Sequence, residues 1–320
     1  MSILATQNII VAGTGSHVPE KIVRNDDITK NVNTNDEWIY QNVGVRERRC
    51  VTTETTSDLA AAAGIRAIES SGLSREEIEL IIVATTTPDR LAPSTACLTK
   101  NKMEIKNKCA AFDVVAVCAG FAYAMNIAAS MIAAGQYNNA LLIGADVFST
   151  ITDWKRRDCV FFGDGAGAIV LQKTGDNTGG FVSKMCSNTE KTDGFTVYPE
   201  DKYFTMVGRE VYEAATKALP EVISDVVSKL GRTPKDIDHI IPHQPAIRVL
   251  QKTAATLGIP FNKIHTNMDR YANTAGATIP LLMDEVNRSN VLKDGDLVVF
   301  AGIGSGWAYG ATAMHWKNKV

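Results

Sequence analysis

Two segments of this 320-residue chain, set half its length apart, run nearly in register. Gly72–Thr85 reads GLSREEIELIIVAT and Gly231–Gln244 reads GRTPKDIDHIIPHQ; a glycine, a hydroxyl residue, an acid, an isoleucine, a second acid and an Ile-Ile pair recur 159 residues apart. Each copy has the composition of a turn followed by a short buried strand. Repetition at that spacing constrains the fold more than any single motif, because it requires two halves built alike. Two further pairs keep the order. Ala140–Asp146 (ALLIGAD) matches Leu297–Gly304 (LVVFAGIG), and the strand, turn and small-residue helix around Cys118 match Lys263–Asn287, where a strand is expected to end at Asn273-Thr274-Ala275-Gly276. The expectation is a duplicated α/β chain with halves 1–174 and 175–320. Each half is a mixed, largely buried sheet flanked by helices, and the two central helices pack against each other.

The stretch from Cys109 to Gly135 is the densest part of that plan. Ala110–Val117 is apolar and Val-rich, which suits a strand covered on both faces. The fifteen residues after Gly120 carry no charge and place small residues at nearly every turn, so the helix they form must be packed from all sides. Cys118 stands at its N-terminus, where free N–H groups and the helix dipole favour an anion and are expected to lower a thiol pKa. Taken alone, a cysteine is most often a buried small hydrophobe. Elsewhere, Asn8–Ala12 reads as a strand ending in a Gly13-Thr14-Gly15 turn; Val18 and Pro19 spoil any dinucleotide fingerprint there. Asn35 caps a short helix, and Thr56–Ser71 forms a longer one capped by Ser57 or Asp58 and stopped at Gly72.

With 45% hydrophobic and 21% charged residues, a net charge of -2 and a pI near 6.2, the chain has no basic field for nucleic acid. Its alanine-rich apolar helix suits protein rather than lipid, which argues against a membrane span. The opening MSILATQNIIVAGTG lacks a basic n-region and reads as a first strand, so a cytoplasmic protein is expected. Six cysteines without a C-x-x-C pair fit reduced thiols. His239 and His243 flank strand residues rather than a helical turn, and no metal is expected.

In the repeat, His243 lies just past a strand end and Asn273 falls at the position of Cys118, so all three point to the junction of the halves. A thiol nucleophile with an imidazole and an amide beside it can take an acyl group and hold a developing enolate or oxyanion. The run Ala301–Gly310 (AGIGSGWAYG) can bring backbone N–H groups to the same place.

Several motifs in order, TNDEWI (34–39), Gly44–Arg49, Ala84–Cys97, Asp113–Gly120, FGDGAG (162–167), Pro242-His243-Gln244, Asn273-Thr274 and Gly304–Gly310, give a chain that resembles thiolase-fold condensing enzymes of the β-ketoacyl-acyl carrier protein synthase III family over essentially its whole length. The resemblance implies the α-β-α-β-α layering of that fold. It makes Cys118 the acyl acceptor, with His243 and Asn273 assisting decarboxylation of a malonyl thioester. The N–H groups of Cys118 and Ser305 would form the oxyanion hole, with Gly304 and Gly306 also contacting substrate. Trp38 and Arg156 would hold the adenine end of coenzyme A, and Phe162, Met206, Gly208, Tyr212 and Arg248 would line the pantetheine tunnel. No cofactor is implied beyond the thioester substrates, an acyl-CoA and a malonyl group on CoA or acyl carrier protein, and a homodimer is implied. Degradative thiolases use a second cysteine near the C-terminus, whereas the last here is Cys186; elongating synthases use two histidines, whereas Asn273 stands here.

Departures from the pattern bear on substrate. Asn42 stands where an arginine is common, Ala246 after Pro245 where an asparagine is usual, and Glu213 and Ala255-Thr256 where basic residues can help dock a carrier protein. Ala92 replaces a bulky aromatic that reaches across the dimer in acetyl-specific members, and Ile303 replaces an aromatic beside the oxyanion loop. The expected reaction is condensation in fatty-acid initiation or a specialised pathway, with a primer larger than acetyl. Acyl transfer to a hydroxyl or amine, and a silent partner in a heterodimer, are the alternatives.

Overall fold

The computed structural model describes residues 3–6, 8–175, 180–198 and 200–317. Two five-stranded sheets carry the chain. The first has the order β2 (Ile9–His17), β8 (Asp164–Lys173), β7 (Asn139–Val147), β5 (Leu80–Ala84) and β6 (Ala110–Val114). The second runs β1 (Leu4–Thr6), β9 (Phe181–Ser187), β14 (Ala308–His315), β13 (Leu297–Gly304) and β12 (His239–Pro242). In each sheet the repeated Ile-Ile strand pairs in parallel with its inner neighbour, β5 with β7 and β12 with β13, and the remaining inner pairs are antiparallel. The segment before each Ile-Ile strand is also duplicated, as a single 3-10 turn at Arg75–Glu77 and at Pro234–Asp236.

Helices complete five layers, α-β-α-β-α. α3 (Thr56–Ser71) covers the outer face of the first sheet, and α4 (Thr95–Lys102) lies beside it. Between the sheets run α5 (Gly120–Ala133) and α9 (Thr278–Arg288), which share one apolar cluster through Phe121, Met125 and Ala128 on one and Ile279, Leu282 and Met283 on the other. α6 (Gly208–Lys229) and α7 (Ile247–Leu257) cover the second sheet. Smaller pieces frame the site: the ribbon β3 (Ile22–Arg24) with β4 (Glu47–Arg49), the hairpin β10 (Phe195–Thr196) with β11 (Thr205–Met206), and α1 (Asn25–Thr29), α2 (Asp36–Val43) and α8 (Met268–Tyr271).

Four expectations need correction. Gly13 and Gly15 lie within β2 rather than in a turn, because α3 packs directly on them; a Cβ at Gly13 would stand 2.4 Å from the Ala67 carbonyl oxygen. The α3 cap is Thr55, whose side chain accepts from the Asp58 N–H. The strand before Cys118 is not covered throughout: β6 is the edge of its sheet, its residues are all half-buried, and Val115 beyond it is 74% exposed. No strand leads to Asn273, which follows α8 instead. The second half keeps only a bridge between Ile240 and Ile264 where the first half has the β5–β6 pairing.

Candidate active site

Cys118 sits in a single 3-10 turn, Val117–Ala119, between the end of β6 and α5. Val117 takes φ +47°, a left-handed conformation costly for a β-branched residue, and the following helix begins at Gly120. The same device recurs at Ala275–Ala277, where Ala275 has φ +49° before α9 begins at Thr278. Cys118 is therefore matched in the second half by Gly276, not by Asn273, which stands three residues earlier. Small residues on both sides of the turn hide that slip in the sequence.

His243 follows β12, its backbone N–H donating to the Ala301 carbonyl oxygen at 2.8 Å, and the side chain is 2% exposed. Its Nδ1 lies 2.8 Å from Thr278 Oγ1, and that hydroxyl lies 2.8 Å from the Ala275 carbonyl oxygen. A hydroxyl has one proton, and the carbonyl can only accept. The network thus assigns the proton between the ring and Thr278 to Nδ1 and leaves a lone pair on Nε2. Burial lowers the imidazole to about 3, so it is neutral at physiological pH. A donor role for His243 toward a thioester oxygen first requires a proton on Nε2, and the Cys118 thiol can supply one.

Asn273 is fixed from both sides. Its backbone joins Phe161 and Gly163, the N–H donating to Phe161 at 2.9 Å and the carbonyl accepting from Gly163 at 3.0 Å. Its Oδ1 accepts from the Ala275 N–H at 2.8 Å. That bond turns the amide nitrogen, the group's only donor, away from Ala275, and the Asn273 side chain lines the same cavity as Cys118 and acts to hold its thiol down.

The expected lowering of the Cys118 thiol by its helix does not hold at rest. Burial pushes it well up, and the buried Asp146 carboxylate adds to the rise; the Cys118 backbone and Asn273 oppose it only in part. Sulfur and imidazole rest as a neutral pair, and the proton must move as the sulfur attacks.

One cavity, of about 930 Å³ including its open mouth, gathers most of the sequence-derived residues. Cys118, His243 and Asn273 line it with Phe162, Met206, Gly208, Tyr212, Arg248, Trp38, Gly304 and Ser305, as do Asn42, Ala246 and Ile303. Phe162 stacks on Phe148 at 4.7 Å between ring centres and joins Phe195 and Phe204 in one aromatic wall. At Gly304 a Cβ would stand 2.8 Å from the Cys118 nitrogen, so only glycine lets this loop lie against that amide. The loop is tied down by Ser305 Oγ, which donates to the Phe195 carbonyl oxygen at 2.5 Å, and by Trp307, which exchanges backbone bonds with Asn188.

Two expected residues lie elsewhere. Arg156 turns inward, donating to the Phe204 carbonyl oxygen and pairing with Asp158, and it is Arg157 whose guanidinium lies 4.0 Å over the Trp38 ring. Gly306 is in the loop but not in the cavity wall. Ala92, expected to act across a dimer and not within its own chain's cavity, is exposed on the loop before α4. Sequence reasoning missed Thr278 and Asp146. Thr278 carried no legible signal; an aspartate closing the otherwise apolar ALLIGAD did, because such an acid needs donors. Among the described residues, no group of three His, Cys, Asp or Glu side chains is arranged to hold a metal, and no helix is long and apolar enough to cross a membrane.

Comparison with known proteins places the chain. The family model for 3-oxoacyl-(acyl-carrier-protein) synthase III matches residues 112–189, and that for its C-terminal part matches 227–316. The beta-ketoacyl-(acyl-carrier-protein) synthase III of Clostridium acetobutylicum is 42% identical, over 97% of this chain and 99% of that one. The same-named protein of Neisseria meningitidis serogroup A is also 42% identical, over 96% and 98%. Among solved structures, 3-oxoacyl-(acyl-carrier-protein) synthase III from Aquifex aeolicus superposes with a TM-score of 0.93 at 36% identity, covering 96% of this chain and all of the other. The priming beta-ketosynthase of the R1128 polyketide pathway superposes with a TM-score of 0.91 at 25% identity, covering 98% and 97%.

Proposed function

This chain belongs to the 3-oxoacyl-(acyl-carrier-protein) synthase III family of acyltransferase-class condensing enzymes, and we propose that it joins an acyl group carried on Cys118 to a malonyl thioester, releasing carbon dioxide and forming a 3-oxoacyl product. The observation that carries the reading is the convergence of a buried thiol, a neutral imidazole with a free Nε2 lone pair and an anchored carboxamide in one apolar cavity.

In the first half-reaction the Cys118 sulfur attacks the acyl carbon of an acyl-CoA. The thiol proton passes to His243 Nε2, the carbonyl oxygen takes negative charge against the N–H groups of Cys118 and Ser305, and the C–S bond to coenzyme A breaks, its electron pair leaving on coenzyme A as a thiolate that takes a proton from water. In the second, loss of carbon dioxide from the malonyl thioester leaves an enolate. The Asn273 amide and the Nε2–H of His243 donate to its oxygen, its carbon attacks the acyl group, and the proton held on His243 returns to the departing Cys118 sulfur. No strong base is required, because decarboxylation generates the carbanion.

Trp38 with Arg157 over it, Tyr212 and Arg248 stand at the mouth and suit an adenine and its phosphates. The acyl carrier protein in the relatives' names makes a carrier-bound malonyl group the expected extender. Opposing it, Glu213 pairs with Arg209 and Lys191 beside the mouth and removes positive charge an acidic carrier would seek. The free edge of β6, Val115 and the fully exposed Leu91 form the face we assign to a second copy in a homodimer. Ala92 on that face would then reach the partner's cavity, and its small size favours primers longer than acetyl. CoA thioesters as donors fit a cytoplasmic enzyme.

The test is intact-mass measurement after exposure to acetyl-, medium-chain and aryl-CoA, with a Cys118→Ala control, followed by malonyl-CoA or malonyl-carrier protein labelled in the free carboxylate. An acyl adduct on the protein, lost in Cys118→Ala, with labelled carbon dioxide released is expected. Product without labelled carbon dioxide would move the reading to plain acyl transfer, and absence of any adduct would end it.

A further inference from the structure

The two halves repeat down to single residues at their centre, and one position differs in a way that bears on catalysis. The pairing registers match Ala140, opposite Leu80, with Val298, opposite His239. Counting along β7 and β13 from there makes Gly144 equivalent to Gly302 and Asp146 equivalent to Gly304. The contacts agree: a Cβ at Gly144 would meet the Gly276 carbonyl oxygen, and one at Gly302 would meet the Cys118 carbonyl oxygen. In the first half the N–H of Cys118 faces the bare backbone of Gly304. In the second, the equivalent N–H, of Gly276, donates to Asp146 Oδ2 at 2.8 Å.

Asp146 is fully buried, and among the described residues none of its hydrogen-bond partners is a cation. Its Oδ1 accepts from the N–H groups of Thr86 and Thr87 at 2.7 and 3.1 Å and from the hydroxyls of Thr85 and Thr87 at 3.2 and 3.0 Å. One carboxylate therefore ties the end of β5 to the Ala275–Ala277 turn of the other half. That turn holds Asn273 through the Ala275 N–H and His243 through Thr278 and the Ala275 carbonyl oxygen.

We propose that Asp146 is a positioning residue of the condensation: it fills the second half's copy of the oxyanion site, and through the Gly276 N–H it sets the turn from which Asn273 and His243 are both aimed at Cys118. The proposal rests on the condensation reading for its effect on turnover, but not for its effect on the thiol. Asp146 acts on Cys118 as a buried negative charge that raises it, while burial itself lifts Asp146 to about 6. His243, from the loop after β12, faces the same cavity and is held neutral.

Two variants separate geometry from charge. Asp146→Asn keeps the shape, removes the charge and turns an N–H₂ toward donors. Gly276→Ala keeps the charge but places a Cβ 3.0 Å from Asp146 Oδ2 and 3.2 Å from the Ala84 carbonyl oxygen, displacing the turn. Both should lose about a hundredfold in kcat, as a misplacement of order 1 Å costs, while KM for acyl-CoA changes little. The rate of Cys118 alkylation by iodoacetamide, followed against pH, should shift to lower pH in Asp146→Asn and stay in place in Gly276→Ala. Wild-type kcat in Gly276→Ala overturns the proposal, also where Asp146→Asn fails to fold. A folded Asp146→Asn that loses stability with an unmoved alkylation profile and unchanged kcat reduces Asp146 to a structural residue. If the wild type alkylates but never condenses, the condensation reading falls, and the alkylation shift still decides the placement of Asp146 beside Cys118.

Discussion

Replacing Gly304 by alanine tests the oxyanion site with a single methyl group. The added Cβ would stand 2.6 Å from the Ala116 carbonyl oxygen, 2.8 Å from the Cys118 nitrogen and 3.0 Å from the Ala119 nitrogen. All three are backbone atoms at the head of α5, so no side chain can swing away. Ordinary contact begins at 3.4 Å, and the loop must open by roughly 0.8 Å, the shortfall at the closest atom. On the proposed reading the opening moves the Ser305 N–H away from an oxyanion held against Cys118. Loss of one such donor costs about 10²–10³ in rate, and overpacking costs about 1–3 kcal/mol of stability. The assay is the time course of the Cys118 adduct by intact mass at saturating acyl-CoA, read beside the melting temperature. Acylation slowed at least about tenfold in a protein that still melts cooperatively is the expected result. A Gly304→Ala protein that acylates at the wild-type rate would refute the placement of the oxyanion beside Gly304.

His243→Gln is expected to ease acid sensitivity. The folded imidazole titrates near 3 and an unfolded one near 6.5, so between those values the unfolded chain binds the extra proton, and stability present above 6.5 is lost as pH falls. Relative to the variant, wild type should lose up to about 1.4 kcal/mol per pH unit below 6.5, measured by denaturant unfolding; a gap that does not change with pH refutes it. Val115→Glu at the end of the free β6 edge should leave a monomer by light scattering, whereas a dimer indistinguishable from wild type would locate the interface elsewhere. Ala92→Phe should cut kcat/KM for medium-chain primers at least about tenfold and spare acetyl-CoA; equal loss for both would remove Ala92 from primer selection.

The duplication was legible because strands buried on both faces leave the same apolar run wherever they occur, and the Ile-Ile pair marks β5 and β12 at equivalent depth. His243 was legible because it follows the Ile-Ile strand β12, and Cys118 because it stands between the apolar run of β6 and the uncharged small-residue helix α5. The edge position of β6 was not, since its apolar run has the same composition as an inner strand of the sheet. Gly13 and Gly15 were misplaced because glycine serves a turn and a close helix approach equally well, and only α3 packing distinguishes them. The exchange of Arg156 for Arg157 over Trp38 depends on which neighbour finds an internal acceptor, here the Phe204 carbonyl oxygen, and that contact spans 48 residues.

The repeat also bears on why a molecule with two like halves would carry the proposed reaction centre on only one of its two turns. Both halves build a strained turn at a helix start, with a left-handed residue at Val117 and at Ala275, and both turn a backbone N–H toward the partner sheet. Such an N–H in a dry interior must be answered. On the second half's turn Asp146 answers it, and the residue at the position of Cys118 is Gly276, with no side chain to react. On the first half's turn Gly304 withholds any side chain, and on the proposed reading the Cys118 N–H is then answered by the substrate's developing charge. On the proposed reading, a carboxylate in one copy and a hydrogen in the other thus divide the labour: the plugged turn is a rigid mount for Asn273 and Thr278, and the open one is where the acyl group would react.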